Sequence, residues 1–169
     1  MTPDSSGAVS ADKPWVGLSL SGAKSLRPDN AVAALLVTED GRYVMQLRDL
    51  IPNIFFPGHW GCFGGGVVPG ESPVEALKRE LSEEIEFVPD GVSEFTRFDF
   101  DFSRLGHSAV YRIYFVVRIT ENIMNKFILH EGSRLAAFTG EELLDSCRVT
   151  PYDAVAIWMH MSAQRFNSA

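Results

Sequence analysis

Apolar residues are arranged along the chain in three different patterns, and each pattern predicts a different element. Ala31 to Val37 (AVAALLV) is apolar throughout and short, as in a strand buried on both faces. A Glu39-Asp40-Gly41 turn then predicts an antiparallel partner at Tyr43–Arg48. Leu50 to Gly58 carries two prolines and Phe55-Phe56 and reads as a loop, after which His59 to Phe63 leads into a run of glycines. Over Phe95 to Phe102 the period becomes two, with Phe98, Phe100 and Phe102 on one side and Arg97, Asp99 and Asp101 on the other, the pattern of a half-buried strand. Arg104 to Ser108 reads as a turn, and Val110 to Ile119 (VYRIYFVVRI) is the strongest strand pattern in the chain. The connection from Asn122 to Gly132 includes a candidate short strand around Phe127–Leu129, and Arg134 to Phe138 reads as another strand. Trp15 to Leu20 is a candidate edge strand near the start.

Helical spacing appears in three places. Ser72 is an N-cap residue, Pro73 suits the first helical position, and Glu75 completes an S-x-x-E capping box, so a helix is expected from Ser72 to about Glu86. Its continuation beyond Glu86 is limited by Pro89. Val74, Leu77, Leu81 and Ile85 form the apolar stripe expected to dock on a core. Thr139, with Glu142 three residues on, caps a short helix ending at Leu144 or Asp145, and Tyr152 to Phe166 is an amphipathic helix after Pro151. Residues 1 to 13, rich in Ser, Asp, Ala and Gly, are expected to form a tail, with one domain over residues 14–169. Strands, one capped helix, more strands and a final helix imply a mixed sheet flanked by helices, α+β or α/β by pattern alone.

The first helix also carries charge that its packing does not explain. At about 100° per residue, Glu80, Glu83 and Glu84 fall on one face beside the apolar stripe. Like charges at this spacing repel, and burial raises the cost unless the acids protonate or a cation joins them. A solvated acidic face is the ordinary alternative for an isolated ExxEE.

Composition narrows the function classes. The chain has 169 residues, 46% hydrophobic and 22% charged, the balance of a soluble globular protein with one sizeable core. A net charge of −7 argues against coating a nucleic-acid polymer, although a small nucleotide bound through a cation is compatible with it. Cys62 and Cys147 make neither a metal motif nor a disulfide framework, so free thiols in a reducing cytoplasm are expected. No apolar run reaches membrane-spanning length.

From Gly65 to Phe87 the residues fit G-x5-E-x7-R-E-U-x-E-E-x-G-U (U apolar), with Gly65, Glu71, Arg79, Glu80, Leu81, Glu83, Glu84 and Phe87 in place. The pattern resembles the box of the Nudix hydrolase family. Glu86 departs from it, standing where the family has glycine; Phe63 replaces the proline common before the paired glycines, and Gly66 adds a third. The resemblance implies an α/β/α sandwich with a mixed sheet. It also implies hydrolysis of a nucleoside diphosphate linked to another moiety, using Mg²⁺ or Mn²⁺ and a water nucleophile. By the family's pattern, Glu80, Glu83 and Glu84 would be the metal ligands, joined by a carbonyl from Gly65 or its neighbour. Glu71 would hold the loop against the helix or bind a metal through water, and Arg79 would orient Glu71 or Glu80. The general base stays open between a box glutamate such as Glu80 or Glu83 and a downstream acid. Glu131, in the HEG turn, resembles the position of an extra acidic ligand in members that cleave nucleoside triphosphates, and Glu121 is its rival.

Arg48, Trp60 and Arg112 are candidates for substrate contact, and Arg97 and Arg112 both stand at outward-alternating strand positions. Neither the downstream proline of ADP-ribose pyrophosphatases nor the tyrosine of dinucleoside polyphosphate hydrolases occurs in Phe102–Leu105. The lead-in QLRD…GHWGCFGGG is similar to bacterial members associated with nucleotide sugars or small nucleotides. Two other uses of the fold stay open: a non-catalytic nucleotide sensor, which commonly loses the box acids present here, and an isopentenyl diphosphate isomerase, whose cysteine motif the context of Cys62 does not match. A small nucleotide-type substrate is the expected partner, with a homodimer an open option for assembly.

Overall fold

The strand β1 (Ala31–Thr38) is buried from Val32 onward, and the other elements are built around it. A computed structural model describes residues 28–52 and 54–167. The expected tail and the candidate strand at Trp15 to Leu20 lie outside these residues. β1 runs parallel to β5 (Val110–Ile119) along its whole length, from Ala31 opposite Arg112 to Thr38 opposite Ile119. Its other edge is shared. The end of the strand pairs antiparallel with β2 (Tyr43–Leu47), whereas at its beginning Val32 N–H donates to Gly65 O at 2.9 Å and Ala34 N–H to Phe63 O at 2.8 Å. The glycine run is thereby fixed to a strand buried from Val32 onward.

The sheet has the order β3 (Trp60–Gly61), β2, β1, β5, β4 (Ser93–Phe100), with β6 (Arg134–Phe138) on the remaining edge of β2. Among the described strands only β1 and β5 pair in parallel; the connection between them carries β2, β3, α1 and β4. Helix α1 (Pro73–Ile85) covers one face, where Ala76, Leu77, Leu81 and Ile85 meet Val32, Ala34, Leu36, Phe63 and Phe115. On the other face α3 (Gly140–Asp145) and α4 (Pro151–Asn167) supply Leu143, Ala156 and Ile157 against Ala33, Leu35, Met45, Trp60 and Tyr114. This is the expected α/β/α sandwich with a mixed sheet. No helix among the described residues is long and apolar enough to cross a membrane.

Four local expectations are corrected. Val74 does not join the buried stripe; it is 38% exposed and Ala76 is buried instead. α1 does not run past Glu86 but ends at Ile85, with Glu86 itself in the left-handed region at φ 53°, ψ 38°. Its N–H bonds Ser82 O, the αL ending that glycine usually provides. Phe127–Leu129 forms no strand, and a short helix α2 (Glu121–Met124) precedes it. The backbone there caps α1, Ile128 N–H donating to Ile85 O at 3.3 Å and His130 N–H to Glu84 O at 2.8 Å. Finally, Arg97 and Arg112 lie on opposite faces, because Arg97 pairs with Ile113 and Arg112 with Phe98.

Candidate active site

The glycine turn packs tightly on β1 and against the Glu80 carboxylate of α1. Gly64 has φ +128°, and a Cβ there would collide with the carbonyl of Val32 and lie 2.9 Å from Ala33 Cα. A Cβ on Gly65 would lie 2.5 Å from Glu80 Oε2. The turn can therefore sit directly on the acidic face of α1. The helix enters this contact through the capping box, in which Glu75 N–H donates to Ser72 Oγ at 3.3 Å and Ser72 N–H to Glu75 Oε2 at 2.8 Å.

Arg79 ties the parts together. Its Nε and Nη2 donate to the two oxygens of Glu71 at 2.9 and 3.1 Å, and Nη1 donates to Glu80 Oε1 at 2.7 Å. Nη2 also reaches Gly66 O at 2.8 Å, and Nη1 reaches Glu83 Oε2 at 3.3 Å. One planar guanidinium thus binds the loop, the glycine turn and the helix. Its hydrogen bonds hold the Glu71 carboxyl below the ordinary carboxylate range, whereas burial pushes Glu80 upward against the same arginine. Glu71, in addition, accepts Val68 N–H at 3.2 Å, which closes the loop on itself.

Glu84 is the buried member of the cluster, 4% exposed. Its oxygens accept Gly64 N–H at 2.8 Å and the Gln46 amide at 3.1 Å. These two neutral donors do not compensate for burial, which pushes its carboxyl up to about 8, with Glu131 and Glu80 adding to the effect. The field of Glu131 also raises Glu80. Glu131 itself is exposed, in a turn fixed on one side by His130 and on the other by Gly132, where a Cβ would meet Leu47 O at 2.8 Å. Glu83, by contrast, is 60% exposed and touches the cluster only through Arg79. The carbonyl of Gly65 already accepts Val32 N–H. Glu121 lies at the start of α2, exposed.

The three residues expected at the substrate have partners other than these acids. Trp60 is 8% exposed, edge-on to Phe138 with ring centres 4.7 Å apart, and covered by the Arg134 guanidinium at 5.0 Å. Arg112 does not point outward but lies over the Tyr152 ring at 4.7 Å, with Nε on Tyr114 OH at 3.0 Å and Nη2 3.4 Å from Asp153 Oδ1. Arg48 donates from Nε to Phe55 O at 2.8 Å and reaches the Tyr152 hydroxyl electrostatically.

Sequence reading missed Gln46 and Asp153. Gln46 is the polar interruption of an apolar strand (YVMQL), and that interruption was its signal. Asp153, 1% exposed, accepts Cys62 N–H at 2.9 Å, Thr150 Oγ1 at 2.6 Å and Tyr114 OH at 2.7 Å. Its one local signal was the spacing Thr150-x-x-Asp153; Cys62, Tyr114 and Arg112 are distant in sequence.

The donor chemistry fits a hard divalent cation, since Glu71, Glu80, Glu83 and Glu84 carry oxygen donors gathered beside the glycine turn. Glu84 is a buried acid without a counter-charge of its own, which a cation would supply. As placed, the acids are engaged by Arg79, Gln46 and Gly64, and among the described residues no three acidic, histidine or cysteine side chains converge as a formed metal site.

A family model described as NUDIX domain matches residues 27–164. Among characterised proteins, the nucleoside triphosphatase NudI of Escherichia coli is 45% identical over 51 residues, 30% of this chain and 35% of that protein. The match thus spans about a third of these relatives' length. Among solved structures, a mutT/nudix family protein from Listeria innocua aligns with a TM-score of 0.66 and 19% identity over 85% of this chain and 99% of the other. The ORF135 protein of Escherichia coli gives 0.64 and 23%, covering 83% and 93%. The NUDIX domain of Shewanella oneidensis NrtR, complexed with ADP ribose, gives 0.63 and 16%, covering 85% and 93%. These likenesses concern the fold.

Proposed function

This chain belongs to the NUDIX family, and from that membership we propose that it is a metal-dependent hydrolase. Its substrates would be nucleoside diphosphates linked to a further group, with nucleoside triphosphates and nucleotide sugars the leading classes. The observation that carries the reading is Arg79 bridging Glu71, Glu80 and Gly66 O directly against the glycine turn, with Glu84 buried behind it. Nothing in the packing of α1 requires these acids on one turn. Glu80, Glu83 and Glu84 would hold Mg²⁺ or Mn²⁺, supported by Glu71 and by a carbonyl of the glycine turn, at Gly65 or its neighbour. When bound, the ion neutralises the diphosphate, which otherwise repels an oxygen nucleophile.

The remaining work falls to the protein. Arg79 keeps Glu71 and Glu80 in fixed orientations, so that the acids do not reorganise during turnover. Glu131, Glu80 and Glu83 are the candidates to take the proton of the attacking water. Arg48 and Arg112, which share Tyr152 as a neighbour, are assigned to the substrate side. The likeness to a nucleoside triphosphatase favours triphosphates within the range.

The test is a panel of nucleoside triphosphates, nucleoside diphosphate sugars and ADP ribose, assayed with Mg²⁺ and with Mn²⁺ for phosphate and pyrophosphate release. Turnover of at least one class, abolished by chelation and by Glu84→Gln, is expected. Tight binding of a nucleotide by folded protein without turnover under either metal would replace the hydrolase with a sensor.

A further inference from the structure

The residue that departs from the family pattern is placed where it can act. Glu86 occupies a left-handed backbone conformation, φ 53° and ψ 38°, which is costly for any residue with a Cβ and which glycine adopts freely. Glycine there would end α1 equally well and supply no side chain. Glu86 Oε1 instead lies 2.8 Å from His130 Nε2. This contact is the third between the end of α1 and the connection that follows α2, after His130 N–H on Glu84 O and Ile128 N–H on Ile85 O. Phe87 and Phe127 add a ring contact at 5.2 Å between the same two segments. The next residue along is Glu131. Beyond it the chain is fixed again, with Ser133 N–H on Leu47 O at 2.8 Å and Gly132 at a positive φ of 79° packed on Gln46 and Leu47. Glu131 therefore projects from a turn held at both ends, close enough for its charge to act on Glu80 and Glu84.

We propose that Glu86 is a positioning residue: its contact with His130 clamps the connection to the end of α1 and thereby sets Glu131 beside Glu80 and Glu84. The proposal rests on the reading above, in which those acids serve a divalent cation. Without the clamp, the Phe87–Phe127 contact and two backbone hydrogen bonds remain, and helix-end hydrogen bonds are of the kind that frays first. The side-chain contact is what resists that fraying. A glutamate in the place of the family's glycine thus exchanges backbone ease for control of the acidic turn.

The experiment compares the parent with Glu86→Gly and Glu86→Gln. Two readouts need no turnover: amide hydrogen exchange over residues 126–132, and Mn²⁺ binding followed by isothermal titration. For Glu86→Gly, a melting temperature equal to or above the parent's is expected, because glycine relieves the left-handed backbone. Exchange at Ile128 and His130 should nevertheless accelerate by about tenfold or more, and Mn²⁺ binding should weaken by about tenfold, the scale of an outer-shell loss. Glu86→Gln retains an acceptor for the histidine N–H, so it should restore most of both properties. Unchanged exchange, or unchanged Mn²⁺ affinity, in Glu86→Gly would overturn the proposal. Failure of the hydrolase reading is separately visible, because it appears as absent turnover in the parent while the exchange and Mn²⁺ comparisons stand.

Discussion

Replacing Glu84 by glutamine gives the sharpest test of the crowded acids, because its effect on stability can be worked out without any metal. Glu84 is buried, with only Gly64 N–H and the Gln46 amide as partners. Its folded-state value of about 8 stands above the ordinary 4.5 that the unfolded chain retains. The folded protein therefore binds this proton more tightly than the unfolded one. The contribution to stability is complete below about pH 4.5 and is lost progressively as pH rises through about 8. Each pH unit within that window corresponds to about 1.4 kcal/mol, so a loss on the order of 3 kcal/mol is expected by pH 7. Total stabilities of roughly 5–15 kcal/mol make a change of that size measurable. Glutamine keeps the shape and does not titrate, and Gln46 can turn its amide to pair with the new one.

The assay is urea unfolding followed by circular dichroism between pH 5 and 8.5, in chelator, for parent and Glu84→Gln. Groups remote from this cluster titrate alike in both proteins, so the difference between the two curves reports Glu84 and the acids coupled to it. The variant is expected to be the more stable protein at pH 8 and to lose that advantage toward pH 5. Added Mg²⁺ should raise the melting temperature of the parent more than that of the variant, since binding to the native state alone stabilises it. Parallel curves across the whole pH range would refute the claim that Glu84 is buried without adequate partners.

Asp153→Ala should cost about 3–5 kcal/mol in urea unfolding, since it strips the counter-charge from half-buried Arg112 and the acceptor from three further donors; a cost under about 1 kcal/mol would show that the network is not where stability resides. Asp153→Asn should cost less, and its effect should shrink when Arg112 is changed to Met, a coupling that a double-mutant cycle reads directly. Gly64→Ala should destabilise by about 2 kcal/mol or more, through both the positive φ and the collision with the Val32 carbonyl, and a neutral result in thermal unfolding would contradict the close contact of turn and strand. Glu131→Gln should weaken the apparent Mg²⁺ affinity in steady-state assays, with most of kcat recovered at high Mg²⁺. A loss of about a hundredfold that Mg²⁺ does not recover would instead identify Glu131 as the base.

The parts legible from sequence are those whose physics is local. The capping boxes at Ser72 and Thr139 each involve residues three apart, and both form as written. β1 was legible because an uninterrupted apolar run of strand length has few alternatives to a central buried position, and β5 because it is dense in β-branched and aromatic residues despite Arg112 and Arg118. The spacing of the acids followed in the same way from helical geometry once the cap was located. The helix end was read less well, since glycine is the usual left-handed residue and Glu86 takes that conformation through partners in a segment more than forty residues on. Phe127–Leu129 carries the composition of a strand, yet Ile128 N–H, with His130 N–H just beyond, bonds the open carbonyls at the end of α1 and not a strand edge.

What periodicity and capping determined is the order of the main elements, the α+β or α/β class and the clustering of Glu80, Glu83 and Glu84, because they act within a few residues; the sandwich itself came from the resemblance to the Nudix box. The tertiary structure decided how those acids differ. Docking on the glycine turn buried Glu84 behind Gln46, left Glu83 in solvent, and gave Glu71 and Glu80 to one arginine. It also turned Trp60 and Arg112 inward, the latter toward an aspartate 41 residues away. Desolvation and long-range pairing depend on which surfaces meet, and a linear pattern of residue types does not carry that information.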